Sequence, residues 1–224
     1  MKIAIEHIKK RYGKKRVLND ISFTASDGEC IGVVGGNGCG KSTLLSIMAG
    51  VLKADGGKFL CDGENLFSNT DKRSELLGYI PQSTPLFEEL TALDNLRLWC
   101  SRAEIKKSLK NGVLKMLGID DFIKTPVRKM SGGMKKRLAI GCSVIHNPKV
   151  LIMDEPSSAL DLSCKEEIAA YMAEFRKSGG IIIISTHDVA EIEMCSSLYI
   201  MKDGVLHPFE FDGDIKELVG KFTS

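Results

Sequence analysis

The chain has 224 residues, of which 43% are hydrophobic and 27% charged, an ordinary composition for a folded domain with a sizeable core. Its formal net charge of +2 gives no overall electrostatic case for a nucleic-acid partner, and none is expected. The longest apolar runs, such as 181-IIII-184, fall far below the roughly 20 residues of a membrane span, and we expect no signal peptide, so a membrane role would need a separate partner.

The N-terminal third predicts strands interrupted by one glycine-rich turn. Alternation of apolar and polar residues indicates half-exposed antiparallel strands, and a short apolar run indicates a buried one. The predicted elements are antiparallel strands at 2–8 and within 17–25, a buried strand at 30–35, a helix at 41–50 that stops at Gly50, a strand pair within 57–66 and a strand at 77–82.

The character of the sequence changes near residue 84. Residues 84–146 are helical in pattern, which predicts an inserted α-helical subdomain ending in a helix that starts at Ser131. Apolar strands return at 150–154, 180–186 and 198–204, separated by helical segments at 161–178 and 188–195. Such alternation predicts an α/β fold with a mainly parallel sheet. We expect a single domain over 1–224, with the core and an N-terminal antiparallel β-subdomain in 1–83 and 147–224.

The turn 35-GGNGCGKST-43 fits the phosphate-binding pattern G-x-x-x-x-G-K-[ST] and stands between a predicted strand and a predicted helix. Glycines let backbone N–H groups close around phosphate oxygens, and the helix N-terminus adds partial positive charge. Lys41 is expected to reach the β- and γ-phosphates, and the Ser42 hydroxyl to ligate Mg²⁺. The residues predicted to bind nucleotide here are Gly35, Gly36, Asn37, Gly38, Cys39, Gly40, Lys41, Ser42 and Thr43.

The strand 150-VLIMD-154 ends in two adjacent acids, Asp154 and Glu155. Burying both is costly unless they meet a cation or hydrogen-bond donors. Asp154 suits the outer Mg²⁺ shell, where it would pair with Ser42, as in P-loop NTPases generally. Glu155 would then face the γ-phosphate and polarise the attacking water as general base. A solvated pair of strand-end acids is the alternative.

Seven cysteines are scattered along the chain without a CxxC pair, and their number is odd. This pattern favours reduced thiols and a cytoplasmic location over a disulfide framework or a zinc site. Cys39 lies inside the glycine-rich turn, where a small residue suffices; the alternative is a thiol made reactive by Lys41 and the helix start.

Four further motifs occur with these two, in this order: 79-YIPQ-82, 131-SGG-133, 157-SSALD-161 and 184-ISTHD-188. With them the chain resembles, over essentially its whole length, the nucleotide-binding subunit of an ABC (ATP-binding cassette) transporter. The resemblance implies a P-loop NTPase core, ATP and Mg²⁺ as ligands, and hydrolysis of ATP to ADP and phosphate. It also implies a head-to-tail homodimer or heterodimer and a separate transmembrane permease subunit that holds the chain at the cytoplasmic face of the membrane.

The resemblance assigns roles to single residues. Tyr12 corresponds to the aromatic residue that stacks on adenine, with Val17 nearby, although an ordinary strand-end tyrosine is the alternative. Gln82 corresponds to the residue that contacts Mg²⁺ and the attacking water, and His187 to the histidine that hydrogen-bonds the γ-phosphate. With Lys41 and Glu155 these two form the expected catalytic set.

The same resemblance assigns a function to a second glycine turn, 131-SGG-133. Ser131 can cap a helix, and Gly132 and Gly133 let backbone N–H groups approach an anion. In the family this helix start closes on the γ-phosphate held by the opposite subunit. Asp161 corresponds to a loop that communicates across that interface, and it can also cap the next helix.

The chain departs from common family patterns at two positions. Met134 stands where many members have glutamine, and Gly36 stands where many have proline. Met134 should cost little phosphate binding, because the anion contacts come from Ser131 and backbone N–H groups. Gly36 should slightly loosen the loop before binding, and neither change is expected to abolish activity. The pattern SGGMKKRLAI resembles cassettes that serve exporters; a soluble ATPase such as an iron–sulfur assembly factor is the alternative function.

Overall fold

The computed structural model describes residues 1–83 and 85–223, which form two sheets and surrounding helices. The strands are β1 (Lys2–Tyr12), β2 (Lys15–Ser26), β3 (Cys30–Val34), β4 (Gly56–Cys61), β5 (Glu64–Asn65), β6 (Leu77–Ile80), β7 (Val150–Asp154), β8 (Ile181–Ser185), β9 (Ser197–Lys202) and β10 (Val205–Phe209). The helices are α1 (Lys41–Ala49), α2 (Thr70–Leu76), α3 (Ala92–Leu96), α4 (Arg102–Asn111), α5 (Val113–Met116), α6 (Gly132–Val144), α7 (Leu162–Lys177), α8 (Val189–Glu193) and α9 (Ile215–Thr223).

The first sheet is antiparallel and has the strand order β2-β1-β4-β5. Apolar and polar residues alternate along β1 and β2, so one face of each strand is buried and the other meets solvent. Asp62 and Gly63 form the turn between β4 and β5, as their sequence predicts. The predicted N-terminal β-subdomain is confirmed in its strands and their antiparallel pairing.

The second sheet has the order β10-β9-β3-β8-β7-β6, and all its pairs are parallel except the antiparallel pair of β10 with β9. Every residue of β3, β7 and β8 is buried. A central parallel strand is covered on both faces, which explains why these segments read as continuous apolar runs. The predicted mainly parallel α/β sheet is therefore confirmed.

Strand β7 shows how this sheet separates two hydrophobic cores. Val150 and Ile152 pack into the core shared with α1 and the antiparallel sheet. Leu151 and Met153 point to the other side, into a core that includes residues of the helices between 92 and 177. Successive side chains of a strand point to opposite faces, so one strand serves both cores.

The helical stretch between β6 and β7 follows the predicted pattern. Described helices begin at Ala92 and end at Val144, and their apolar side chains share a core with the parallel sheet. Residue 84, the expected first residue of the insertion, lies outside the described residues, and the division into subdomains stays a prediction. Over 1–83 and 85–223 no helix has both the length and the apolar character needed to cross a bilayer.

Candidate nucleotide site

The carboxyl ends of four neighbouring parallel strands carry the predicted site residues. The glycine-rich turn follows β3, Gln82 follows β6, Glu155 follows β7, and His187 follows β8. Parallel strands bring their carboxyl ends to one edge of the sheet, where ligands bind in open α/β folds. Residues far apart in sequence are therefore collected at one edge.

The turn after β3 requires glycine at two points. Gly35 has φ 152°, and a Cβ there would lie 2.5 Å from the carbonyl oxygen of Met201. Gly40 has φ 119° at the start of α1, where a Cβ would lie 3.0 Å from the carbonyl oxygen of Val17. Both positions combine a left-handed backbone with a close approach, so any larger residue would open the loop.

Lys41 lies beneath this loop with only 6% of its surface exposed. Its ammonium group donates to the carbonyl oxygen of Gly35 at 2.7 Å and lies 3.4 Å from that of Gly36. A buried ammonium needs such acceptors, and here they hold it inside the curve of the loop. That is where the pattern expects a phosphate.

A cavity of about 450 Å³ opens above the loop and is walled by ten of the residues that the structure describes. They are Tyr12, Val17, Asn37, Gly38, Gly40, Lys41, Ser42, Thr43, Gln82 and Glu155. The structure thus brings most of the predicted nucleotide residues around one space. The Tyr12 side chain is 50% exposed at its rim, with the ammonium group of Lys10 5.5 Å from the ring centroid.

Three predicted catalytic side chains meet beside this cavity. Gln82 and Glu155 wall it, whereas His187 lines a neighbouring cavity of about 260 Å³ that also includes Glu155. The amide of Gln82 donates to Glu155 Oε2 at 3.0 Å, and His187 Nε2 lies 3.6 Å from Glu155 Oε1. Burial lowers the pKa of His187, and the nearby Lys41 charge lowers it further, while Glu155 opposes both effects. The neutral imidazole is therefore favoured at neutral pH, where it can both accept and donate a hydrogen bond.

Glu155 is held by the neighbouring strand. Its backbone has φ 46°, an uncommon left-handed conformation for a non-glycine residue, and its N–H donates to the carbonyl oxygen of Ser185 at 3.0 Å. Ser185 Oγ also donates to Asp154 Oδ1 at 2.5 Å. One serine at the end of β8 thereby fixes the side chain of one acid and the backbone of the other.

Asp154, Ser42 and Gln82 line a second cavity of about 1060 Å³ that adjoins the first. Asp154 is 3% exposed, and one of its carboxylate oxygens accepts the Ser185 hydrogen bond. The Gln82 amide nitrogen donates to Glu155, and its carbonyl oxygen is a further candidate ligand. Hydroxyl, carboxylate and amide oxygens are the hard ligands that Mg²⁺ prefers, so these residues fit the ion that the fold implies.

The second glycine turn lies apart from this cavity. Ser131 caps α6 by accepting from the N–H of Met134 at 3.2 Å, and Asp161 caps α7 by accepting from the N–H of Cys164 at 2.9 Å. Both capping predictions are confirmed. None of Ser131, Gly132, Gly133 and Asp161 is among the described residues that wall the 450 Å³ cavity. The structure does not bring them to the chain's own nucleotide site.

Three residues near the site escaped the sequence reasoning. Ser185 holds both acids, Glu191 is buried and accepts from the hydroxyl of Thr186, and Lys136 is 4% exposed. Burial raises the pKa of Glu191 and lowers that of Lys136, whose charge is supported by Asp154, Glu191 and Glu155. Ser185 could have been found as the polar residue ending a buried strand; the two charged residues gave no comparable signal.

Comparisons with known proteins agree with this geometry. Residues 18–158, more than half of the chain, match the family described as ABC transporter. The chain is 35% identical to the linearmycin resistance ATP-binding protein LnrL of Bacillus subtilis, with 89% of this chain and 66% of that protein covered. It is 32% identical to the lantibiotic transport ATP-binding protein SrtF of Streptococcus pyogenes, with 94% and 92% covered.

Solved structures give the same result. An ATP-binding subunit of an ABC transporter has a TM-score of 0.83 and 26% identity, with 100% of this chain and 95% of that chain covered. A dimeric bacterial ABC transporter cassette has a TM-score of 0.84 and 25% identity, with 95% and 100% covered. The chain therefore belongs to the ABC transporter family, in which it is an ATP-binding cassette and an ATPase.

Proposed function

We propose that this chain is the energising subunit of an exporter, in which two cassettes enclose two ATP molecules and drive a separate membrane protein by hydrolysing them. The observation that carries the proposal is the contact of Gln82 and His187 with Glu155, beside a cavity walled by the Lys41 loop. A binding module would not need this group of side chains. A hydrolase needs a base, a positioning amide and a phosphate ligand together.

In this proposal different residues bind different parts of the ATP molecule. Tyr12 stacks on the adenine, with Val17 beside it, and the turn from Gly35 to Thr43 holds the phosphates through backbone N–H groups. Lys41 donates to the β- and γ-phosphates in place of its present carbonyl acceptors. The charge of Lys41 then lies where negative charge develops during phosphoryl transfer.

Glu155 acts on the attacking water as general base, and Gln82 holds both the base and the water. His187 donates to the γ-phosphate, which suits its favoured neutral form. Asp154, Ser42 and Gln82 would hold Mg²⁺. The ion would neutralise part of the phosphate charge.

The second glycine turn completes a site in the partner cassette. Ser131 and Gly132 are exposed at the start of α6, as a surface that must meet another subunit would be. A helix N-terminus binds anions well, and the γ-phosphate of the opposite site would satisfy it. Loss of that phosphate would remove contacts from both subunits, so hydrolysis would open the dimer. Asp161, exposed beside this turn, would face the same interface.

A separate membrane protein would receive this motion. The cavity of about 1060 Å³ is largely apolar, contains Gln82 and includes Val51 and Trp99, each with 66% of its surface exposed. Exposed apolar surface continuous with a catalytic residue suits a partner that must sense the nucleotide. Docking there would place this cassette at the cytoplasmic face of the membrane.

Export is favoured by the relatives. LnrL is a resistance protein, SrtF a lantibiotic transport protein, and a third relative, 32% identical, is the Nod factor export ATP-binding protein I of Ralstonia nicotianae. The chain spans 66%, 92% and 64% of these three proteins, respectively. We infer that the cargo is exported and that the membrane partner selects it.

The variant Glu155→Gln tests the hydrolytic part of the proposal. Removing a general base should slow phosphate release by about 10²–10⁴-fold while ATP binding persists. The variant should form a dimer with ATP, measurable by light scattering. The matched control is Glu174→Gln, an exposed acid on α7, which should keep the wild-type rate. A Glu155→Gln chain that hydrolyses ATP at the wild-type rate would overturn the base assignment.

Membrane coupling needs its own experiment. The tagged chain should co-purify with a multi-span membrane protein from detergent-solubilised membranes, identified by mass spectrometry. Loss of that protein in a Trp99→Glu variant with an unchanged ATPase rate would support docking at the apolar cavity. Capture of soluble assembly proteins instead would favour a soluble ATPase.

A further inference from the structure

Lys136 is the one residue of the basic run 135–137 that is buried. Its ammonium group lies 3.2 Å from the carbonyl oxygen of Pro81 and 3.4 Å from that of Gln82. The adjacent Lys135 instead forms an ion pair with Glu88 at 3.0 Å near the surface. Two neighbouring lysines on one helix thus have different environments, and only Lys136 reaches the segment that carries Gln82.

Burying a lysine is costly, and apolar residues of similar volume would cost less. Only 4% of Lys136 is exposed, in a region where α6 meets the end of β6. The carbonyl groups that it contacts belong to the two residues after β6, where no strand partner restrains the chain. The cost is offset if the ammonium fixes the direction in which Gln82 leaves the sheet.

The direction of Gln82 matters for the reaction. Its side chain reaches Glu155 with the amide nitrogen 3.0 Å from Oε2. A shift of about 1 Å in a positioning group can cost 10²-fold in rate. A group that holds the Gln82 backbone therefore controls how the Gln82 amide meets Glu155, without touching the nucleotide.

Lys136 also lies on the same helix as the second glycine turn. It is five residues after Ser131 and within the first turns of α6, whose start is the surface proposed to meet the partner's nucleotide. When α6 moves as a rigid body, a displacement of its first residues also displaces Lys136. Closure on the partner's ATP would then move the contact that Lys136 makes with the chain's own Gln82 segment.

We propose that Lys136 is a positioning residue, which holds Gln82 against Glu155 and links the partner-facing start of α6 to the chain's own catalytic site. This inference rests on the proposed function. Lys136 thereby takes part in hydrolysis although its ammonium group contacts main-chain carbonyls and not the nucleotide cavity. Its ligands are the two main-chain carbonyls, so it acts on Gln82 through the backbone.

A double-mutant cycle with Lys136→Met and Gln82→Ala tests the proposal on the full chain. The backbone contact survives in Gln82→Ala, but the side chain that it positions is gone. Lys136→Met alone should lower kcat by about 10–100-fold, the usual cost of losing a group that orients a ligand of the reaction centre. The KM for ATP should stay within about twofold, because Lys136 does not wall the nucleotide cavity. In the Gln82→Ala background the same change should have little further effect.

The control is Lys135→Met, which removes the neighbouring charge and its ion pair with Glu88 but leaves the Gln82 segment alone. Its rate should stay within about twofold of wild type. Lys136→Met leaves the carbonyl oxygens of Pro81 and Gln82 without this donor, so some loss of thermal stability is expected. The rates of both variants are therefore measured well below the unfolding temperature, so that a lower kcat of Lys136→Met reports on the folded enzyme.

The inference is overturned if Lys136→Met keeps the wild-type kcat, or if its effect is equally large with and without the Gln82 side chain. The second result would mark a general structural role. Failure of the proposed function is separate: it would appear as wild-type hydrolysis by Glu155→Gln, whatever Lys136 does.

Discussion

An aspartate at Gly132 tests the proposed partner-facing role of the second glycine turn. Gly132 is the exposed first residue of α6, and a Cβ added there meets no heavy atom within 4 Å. The new side chain therefore fits the single subunit. A carboxylate in the first helical turn should even stabilise the fold by about 0.3–1 kcal/mol.

The same carboxylate would oppose a phosphate in the closed dimer. Two unit charges at about 4 Å repel by roughly 4 kcal/mol at an effective dielectric constant of about 20. That is about a 10³-fold weakening at each of two sites, because 1.4 kcal/mol corresponds to tenfold. The dimer should be lost while each subunit still binds ATP.

Light scattering with ATP in the Glu155→Gln background measures the dimer, and calorimetric titration measures nucleotide binding. The matched control is Gly132→Asn, which has the same shape without the charge and should weaken the dimer far less. Equal effects of Asp and Asn would refute the electrostatic reasoning. Lost ATP binding by a folded Gly132→Asp subunit would refute the assignment of this turn to the partner's site.

Gly133 is a poorer place for this test. It is buried, and a Cβ there would lie 3.1 Å from Cys164 Sγ and 3.3 Å from its Cβ. A larger residue must therefore displace the start of α7 inside the same subunit. A substitution at Gly133 would therefore affect both the fold of the subunit and dimer formation, whereas a substitution at Gly132 tests dimer formation alone.

Two further predictions concern the loop and the helical region. Bound Mg·ATP should protect half-buried Cys39 from labelling by iodoacetamide, as followed by mass spectrometry. Cys100, whose pKa is raised by burial, should label slowly in both states. Equal labelling of Cys39 with and without nucleotide would contradict the loop assignment. Arg137→Met should lower the free energy of unfolding in urea by about 2–4 kcal/mol. The guanidinium group lies 2.6 Å from Glu167, 3.2 Å from the Leu117 carbonyl oxygen and 5.1 Å from the Phe122 ring centroid, and the variant loses all three contacts. A loss below about 0.5 kcal/mol would mean that these contacts contribute little.

Much of the fold could be predicted from local pattern. Alternation identified β1 and β2, and unbroken apolar runs identified β3, β7 and β8, because burial on one or both faces imposes those patterns. The short helix α2 and the edge strand β10 were not predicted. They are mostly polar or only partly buried, so their sequences carry little periodicity.

The site was predictable as a set of motifs but not as a set of contacts. Spacing around Lys41 and the acids after β7 indicates a nucleotide, yet it cannot tell which neighbours hold each group. The basic run 135–137 gives no sign that its middle residue is buried while the residues on either side form ion pairs. That difference depends on how α6 packs against the end of β6, which is a tertiary property.

Ser185 explains why the two acids after β7 can differ in role although they are adjacent. It binds the side chain of Asp154 and the backbone N–H of Glu155, so both acids take their position from β8. The backbone of Glu155 is left-handed, a conformation that costs about 1–3 kcal/mol and persists only when surrounding contacts enforce it. The strained turn directs the second acid out of the sheet toward Gln82 and His187, while the first stays buried at its edge. A relaxed strand end would alternate the two side chains across the sheet, and the proposed base and metal ligand would not share one site.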